Sequence, residues 1–69
     1  MSSDIDQATI GAYLKIKAQQ EATQDYEAGQ AALRQMTALL HEVGKDAGIE
    51  RYNDVALELE RQARQKGIG

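Results

Sequence analysis

The sequence predicts an all-α protein, and two observations lead to that class. The 69 residues include no proline, while alanine, glutamine and glutamate, which favour helices, are frequent. Isoleucine, leucine and valine recur with the three-to-four-residue period of an amphipathic helix. A chain of this length makes one small domain, residues 1–69, and size scaling gives it about 4,300 Å² of accessible surface as a compact monomer.

The second half of the chain predicts an antiparallel helical hairpin. Gly44 suits the left-handed C-cap of a first helix, and Asp46 can cap the start of the next. The second helix is expected at about residues 48–66, where Lys66 and Gly67 end it. Its apolar stripe, at i, i+3, i+4 and i+7 spacing, consists of Ile49, Tyr52, Val55, Ala56, Leu59 and Ala63.

A coiled-coil-like seam is predicted on the preceding helix. Its members alternate at spacings of three and four: Ala22, Tyr26, Gly29, Leu33, Met36, Leu40 and Val43. Packing of this seam against the second-helix stripe would form the core of the hairpin. We expect Tyr26 and Tyr52 to lie in that core with their hydroxyls directed outward.

The preceding helix can begin close to the N-terminus. Ser2 or Ser3 can cap it, and the carboxylates of Asp4 and Asp6 suit the positive end of the helix dipole. The start of a first helix is therefore expected at about residue 4.

The main prediction is one long N-terminal helix over about residues 4–43, because neither proline nor a glycine pair interrupts it. The shorter second helix would fold back against its C-terminal half. The alternative is a three-helix bundle with a break near residues 23–25, where Thr23 would be the N-cap.

In the long-helix interpretation, the first sixteen residues carry apolar side chains that the second helix cannot cover. Ile5 and Ile16 lie on one side of the helix, whereas Ile10 and Leu14 lie on the opposite side. A segment that is apolar on two sides needs burial on two sides, so another chain is expected there. The predicted protein interface consists of Ile5, Ile10, Tyr13, Leu14 and Ile16, together with Leu57, which points away from the second-helix stripe.

Reactive side chains are scarce. The chain has no cysteine, which excludes disulfides, thiolate catalysis and cysteine-ligated metals, and a single histidine cannot build a multi-histidine centre. We expect His41 to face solvent near a helix C-terminus rather than to transfer protons. The sequence therefore predicts no catalytic residues, no metal, no cofactor and no small-molecule substrate, and the protein is not expected to be an enzyme.

The charge distribution argues against nucleic acid as a partner. The net charge is −3, and acidic and basic residues balance over residues 44–69, so no basic face is available for phosphates. No apolar run approaches the roughly 18 residues of a membrane span, and no secretory signal is visible. We expect no membrane insertion and a cytoplasmic location.

The predicted function is that of a non-enzymatic helical assembly or accessory subunit, which packs helices against copies of itself or against a larger protein complex. The alternative is an inhibitor or antitoxin-like protein that masks a basic site on its target with an acidic helix face, formed by Glu50, Asp54 and Glu58. Added salt should weaken the second kind of complex steeply and the first only slightly.

Overall fold

The computed structural model describes residues 4–68, which form three α-helices packed against one another. The helices are α1 (Gln7–Ala22), α2 (Tyr26–Ala47) and α3 (Tyr52–Lys66). The all-α class is confirmed for the described residues, which include no strand. Ser2 and Ser3, the predicted N-caps, lie outside the described part, and α1 follows Asp6, whose side chain makes no capping hydrogen bond.

The long helix predicted over residues 4–43 is wrong, because the chain leaves the helical conformation between Ala22 and Tyr26. Thr23 follows the end of α1 in an extended conformation instead of capping the next helix. Asp25 is the N-cap of α2, and its carboxylate accepts a hydrogen bond of 3.3 Å from the backbone N–H of Glu27. The break near residues 23–25 thus corresponds to the alternative prediction.

Burial of the N-terminal residues explains why the chain turns without glycine or proline. Ile5, Ile10 and Tyr13 join a core cluster with residues of α2 and α3, among them Leu40 and Leu59. Full burial of one large apolar side chain contributes about 1.5–3 kcal/mol. Continuing the helix through three residues depends on propensity differences well under about 1 kcal/mol each. Tertiary burial therefore favours the turn.

The junction between α2 and α3 differs from the prediction by one turn. Gly44 is inside α2, which continues to Ala47, and Gly48 is the left-handed cap with φ of 74°. The backbone N–H of Ile49 donates to the carbonyl of Gly44 at 2.8 Å. A Cβ atom on Gly44 would lie 2.6 Å from the Ile49 carbonyl oxygen, so the glycine permits this close approach.

The third helix begins later than predicted and ends where predicted. Its first residue is Tyr52, preceded by Arg51 at the N-cap, so Asp46 does not cap it. At the other end Gly67 adopts φ of 69°, and the N–H of Ile68 donates to a carbonyl one turn back. The buried residues of α3 are Val55, Leu59, Gln62 and Ala63, three of which belong to the predicted stripe.

Candidate functional site

Three residues of the predicted interface lie inside the bundle. Ile5, Ile10 and Tyr13 are 7%, 0% and 2% exposed and belong to the core. The expectation that only another chain could cover the first sixteen residues is therefore wrong, since α2 and α3 provide the cover. These three side chains cannot contact a partner while the bundle is folded.

The segment before α1 is fastened to α3 through its backbone. The N–H of Ile5 donates to Oε1 of Gln62 at 2.7 Å, and the Ile5 carbonyl accepts from Nζ of Lys66 at 3.0 Å. Lys66 also forms an ion pair of 2.8 Å with Asp4. Both backbone polar groups of a buried residue are thereby satisfied, which allows Ile5 to enter the core.

A polar cluster joins α1 to α3 beside the core. The Tyr13 hydroxyl and Nζ of Lys17 both donate to Oε2 of Glu60, at 3.0 and 3.1 Å. Burial, followed by the hydrogen bond to Glu60, raises the pKa of Tyr13 to about 12. The hydrogen bonds from Lys17 and Tyr13 hold the pKa of Glu60 below its usual value. Each of these polar groups is hydrogen-bonded to another member of the cluster, so the cluster holds α1 and α3 together.

The remaining predicted interface residues are partly or fully exposed. Leu14 packs against the edge of the core and lines an open groove between α1 and α3, together with Gly11, Ala18, Ala63 and Ile68. Ile16 is half-buried. Leu57 is 60% exposed, on the side of α3 opposite its buried residues. The structure therefore does not bring the six predicted residues together on one surface.

A different apolar surface lies along α2, which we call the α2 face. It consists of Tyr26, Leu33, Thr37, Ala38 and His41 of α2 and of Tyr52 at the start of α3. The fractional exposure is 78% for Tyr26, 41% for Leu33 and 45% for Tyr52. All of these except Tyr26 line one shallow depression, with Arg34 at its side. Three of the four exposed large apolar side chains among the described residues thus share one face.

The N-terminal half of the predicted α2 seam is exposed because α2 uses a neighbouring stripe for the core. Leu40 and Val43 are buried as expected, but in the earlier turns the buried residue is Ala32 rather than Leu33. In addition, α2 has 22 residues and α3 only 15, so α3 is about 10 Å shorter. The alternative stripe of Ala32, Met36, Leu39 and Val43 has the same spacing, and it is the signal that could have revealed the α2 face.

Residues of the α2 face contact one another. The rings of His41 and Tyr52 meet edge to face with centroids 6.4 Å apart, and the Tyr52 hydroxyl is 3.4 Å from Nδ1 of His41. The Thr37 hydroxyl donates to the Leu33 carbonyl at 2.9 Å. His41 is exposed, as the sequence predicted.

The predicted acidic face is divided between paired and solvent-facing carboxylates. Glu58 accepts from Nε of Arg61 at 3.0 Å and from Nε2 of Gln62 at 2.7 Å. These bonds, with that of Arg61 first, lower the pKa of Glu58 to about 2. Glu50 and Asp54 are exposed. Residues 4–68 include no group of three or more histidine, aspartate or glutamate side chains arranged to hold a metal ion.

Comparison with known proteins adds no relative, since no protein-family model, no curated protein and no solved structure matches this chain. Within residues 4–68, none of the helices combines the length and the apolarity that crossing a membrane requires. Among the surfaces of the bundle, the α2 face holds three of the four exposed large apolar side chains of the described residues.

Proposed function

We propose that this chain is a small non-enzymatic interaction module, an assembly or accessory subunit that packs its α2 face against a helix of a copy of itself or of a larger protein. The observation that carries the proposal is the placement of Tyr26, Leu33 and Tyr52, all exposed, on one side of the bundle. Single exposed apolar residues are ordinary, whereas several on one face are typical of contact surfaces.

Helix packing is the mode of binding that suits this face. Leu33 and Thr37 are separated by one turn of α2, and His41 follows after another turn, so their side chains form a row along the helix. Such a row fits between the side-chain ridges of a second helix. Tyr26 and Tyr52 flank the row with large rings that bury apolar area at a low cost in side-chain entropy.

The proposed surface replaces most of the interface predicted from the sequence. Leu14 lies in the α1–α3 groove, whose lining includes small residues and charges of both signs. Ile16 is half-buried on the opposite side of α1. Leu57 stands alone on the outer side of α3. The α2 face gathers more exposed large apolar side chains than either location, and we therefore assign the contact to it.

The masking of a basic site by an acidic helix face has less support. Of the three carboxylates in that prediction, Glu58 is already engaged by Arg61 and Gln62. Glu50 and Asp54 remain, with Arg51 exposed next to them in the chain. We further propose that the module is non-enzymatic and that it acts in the cytoplasm.

Site-specific photo-crosslinking tests the proposal. A benzophenone amino acid at Thr37, within the α2 face, should crosslink the chain to a protein in an extract of its source cells or to a second copy. The same amino acid at Leu57 is the matched control, because this site is exposed but lies off the face. A product from position 37 alone, at a yield little changed by added salt, supports apolar helix packing.

Two outcomes would contradict the proposal. Equal products from positions 37 and 57 would show that contact does not involve the α2 face in particular. A product that disappears as salt rises from about 0.1 M to about 0.5 M would favour charge masking, since screening weakens exposed ion pairs over that range.

A further inference from the structure

We propose that the partner of the α2 face is the α2 face of a second copy of this chain, with the two α2 helices antiparallel. This inference rests on the proposed function and names the partner. Two observations carry it: the placement of charge at the two ends of α2, and the exposed apolar side chains between them.

Glu27 and Lys45 stand at opposite ends of the exposed side of α2, and both are exposed. The two positions are five helical turns apart, so the side chains leave α2 in the same direction, about 27 Å from each other. This direction is close to that of Arg34 and of His41, which forms one edge of the α2 face. A helix that packs along this edge of the face therefore meets the Glu27 carboxylate at one end and the Lys45 ammonium group at the other, where the exposed Glu42 lies one turn before Lys45.

A second α2 helix satisfies both charges only in the antiparallel orientation. Two-fold symmetry then places Glu27 of each copy beside Lys45 of the other, which gives two equivalent ion pairs. Parallel pairing would bring Glu27 against Glu27 and Lys45 against Lys45, and like charges at an interface are unfavourable. The charges of α2 are thus complementary to themselves in one orientation.

The same orientation brings the apolar side chains of the face together. The two-fold axis passes near the middle of α2, so Leu33 and Thr37 of the two copies meet around it. Tyr26 at the start of α2 reaches the other end of the second copy's helix, where His41 and Tyr52 form their edge-to-face pair. Large apolar groups are thereby covered at the centre and at both ends.

Arg34 is a cost of this arrangement. It lies near the two-fold axis, so its guanidinium group is close to that of the second copy. The residue is exposed, and its long stem allows the charge to point into water at the rim of the interface. Rim charges of this kind influence affinity modestly.

The α2 face is small. It presents three large exposed apolar side chains to a partner, Tyr26, Leu33 and Tyr52, which suits an interface at the small end of the range for weak, specific complexes. The expected dimer is therefore a reversible one, with dissociation in the micromolar range or weaker.

Sedimentation equilibrium of charge variants tests the pairing. Glu27→Lys alone places a lysine opposite Lys45 of the second copy in both pairs. Lys45→Glu alone places a carboxylate opposite Glu27 in both pairs. Each variant should therefore weaken the homodimer about ten-fold. An equimolar mixture of the two variants should form a heterodimer, because each then supplies the charge that the other lacks. The double variant Glu27→Lys/Lys45→Glu should dimerise like the wild type.

Leu33→Asp and Leu57→Asp provide a matched pair for the apolar part. A charge at Leu33 should weaken the dimer by more than about 30-fold, whereas the same change at Leu57 should leave the dissociation constant within about two-fold. Circular dichroism of every variant establishes that the helices are formed. The double variant Glu27→Lys/Lys45→Glu places unfavourable charges at both ends of the α2 dipole. If it still dimerises, the weakening in the single variants is due to charge pairing and not to a loss of helix stability.

Two results would overturn the inference. One is a wild-type chain that stays monomeric up to about 1 mM. The other is a pair of single charge variants that each dimerise as tightly as the wild type and gain no affinity when they are mixed. In the first case, a crosslink from position 37 to a different protein would still leave the proposed function standing, since that experiment does not require a second copy. Loss of both the dimer and the crosslink would remove the function as well.

Discussion

The backbone N–H of Ile5 donates a hydrogen bond of 2.7 Å to Oε1 of Gln62, across 57 positions of the chain. Gln62 is 2% exposed and its Nε2 donates to Glu58, so its amide links the start of the chain to the surface of α3. A buried polar side chain of this kind is stable because its groups are satisfied. The bond directs residues 4–6 across α3 and places Ile5 in the core.

Replacement of Gln62 by methionine should destabilise the bundle by about 1–3 kcal/mol, because a buried N–H of Ile5 loses its acceptor. Urea unfolding followed by circular dichroism measures the change. In a chain that lacks residues 1–5 the same substitution should cost clearly less, since the donor is gone. Equal costs in the two backgrounds would show that the Ile5–Gln62 bond contributes nothing to stability.

Ile10→Asp should unfold the protein, because Ile10 is fully buried and an ionised carboxylate has no partner in that part of the core. The expected loss exceeds about 4 kcal/mol, a large fraction of the stability of a domain of this size. Leu57→Asp is the control and should change stability by less than about 0.5 kcal/mol. A cooperative unfolding transition retained by Ile10→Asp would contradict the burial of α1.

The glycines of α1 and α2 should respond oppositely to alanine. Gly44→Ala places a methyl group against the Ile49 carbonyl and Val55, and should destabilise by about 1–3 kcal/mol. Gly11→Ala meets nothing within 4 Å and should stabilise α1 by up to about 1 kcal/mol. Thermal unfolding midpoints measure both. A neutral Gly44→Ala would mean that the α2–α3 junction does not approach α2 so closely.

Acid should weaken the bundle through Glu58. Its pKa is about 2 in the folded chain against 4.5 in the unfolded reference, so its contribution is complete above about pH 4.5 and is lost as pH falls toward 2. Glu58→Gln should make the free energy of unfolding less dependent on pH in that interval. The slope that remains includes Glu60, whose pKa is also lowered.

Glu50→Gln provides the charge-matched control for that experiment, since it removes an exposed carboxylate of the same helix–loop region. Urea titrations at several pH values between 5 and 2 measure the slopes. An equal reduction of slope in both variants would assign the acid sensitivity to net charge rather than to the bonds of Glu58 with Arg61 and Gln62.

Local features of α3 were predictable because they depend on neighbouring residues. Gly67 takes the left-handed cap after Lys66, and Val55, Leu59 and Ala63 are buried as their spacing indicates. The turn at Thr23 was predicted only as an alternative, because no proline or glycine marks it. The turn depends instead on the burial of Ile10 and Tyr13 by helices that lie far along the chain. Local helix propensity carries no information about such contacts.

The interacting surface was harder to predict for the same reason. Leu33 and Ala32 belong to two adjacent stripes of α2 with equal helical spacing, and the choice between them depends on where α1 and α3 pack. Once the chain turns at residues 23–25, α1 takes the side of Ala32 and leaves Leu33 exposed. The same turn explains why Ile5 and Ile10 lie in the core and not at the predicted interface.

The distance between the start of α1 and the end of α2 tests the turn at residues 23–25 most directly. The chain has no cysteine, so spin labels can be attached to Asp6→Cys and Asp46→Cys, two exposed positions that line one depression in the folded bundle. Pulsed electron resonance on labelled protein diluted with unlabelled chain should give a distance well below the 39 Å longest extent of the bundle. A distance near the roughly 60 Å of one continuous helix would contradict the three-helix fold and the assignment of the α2 face.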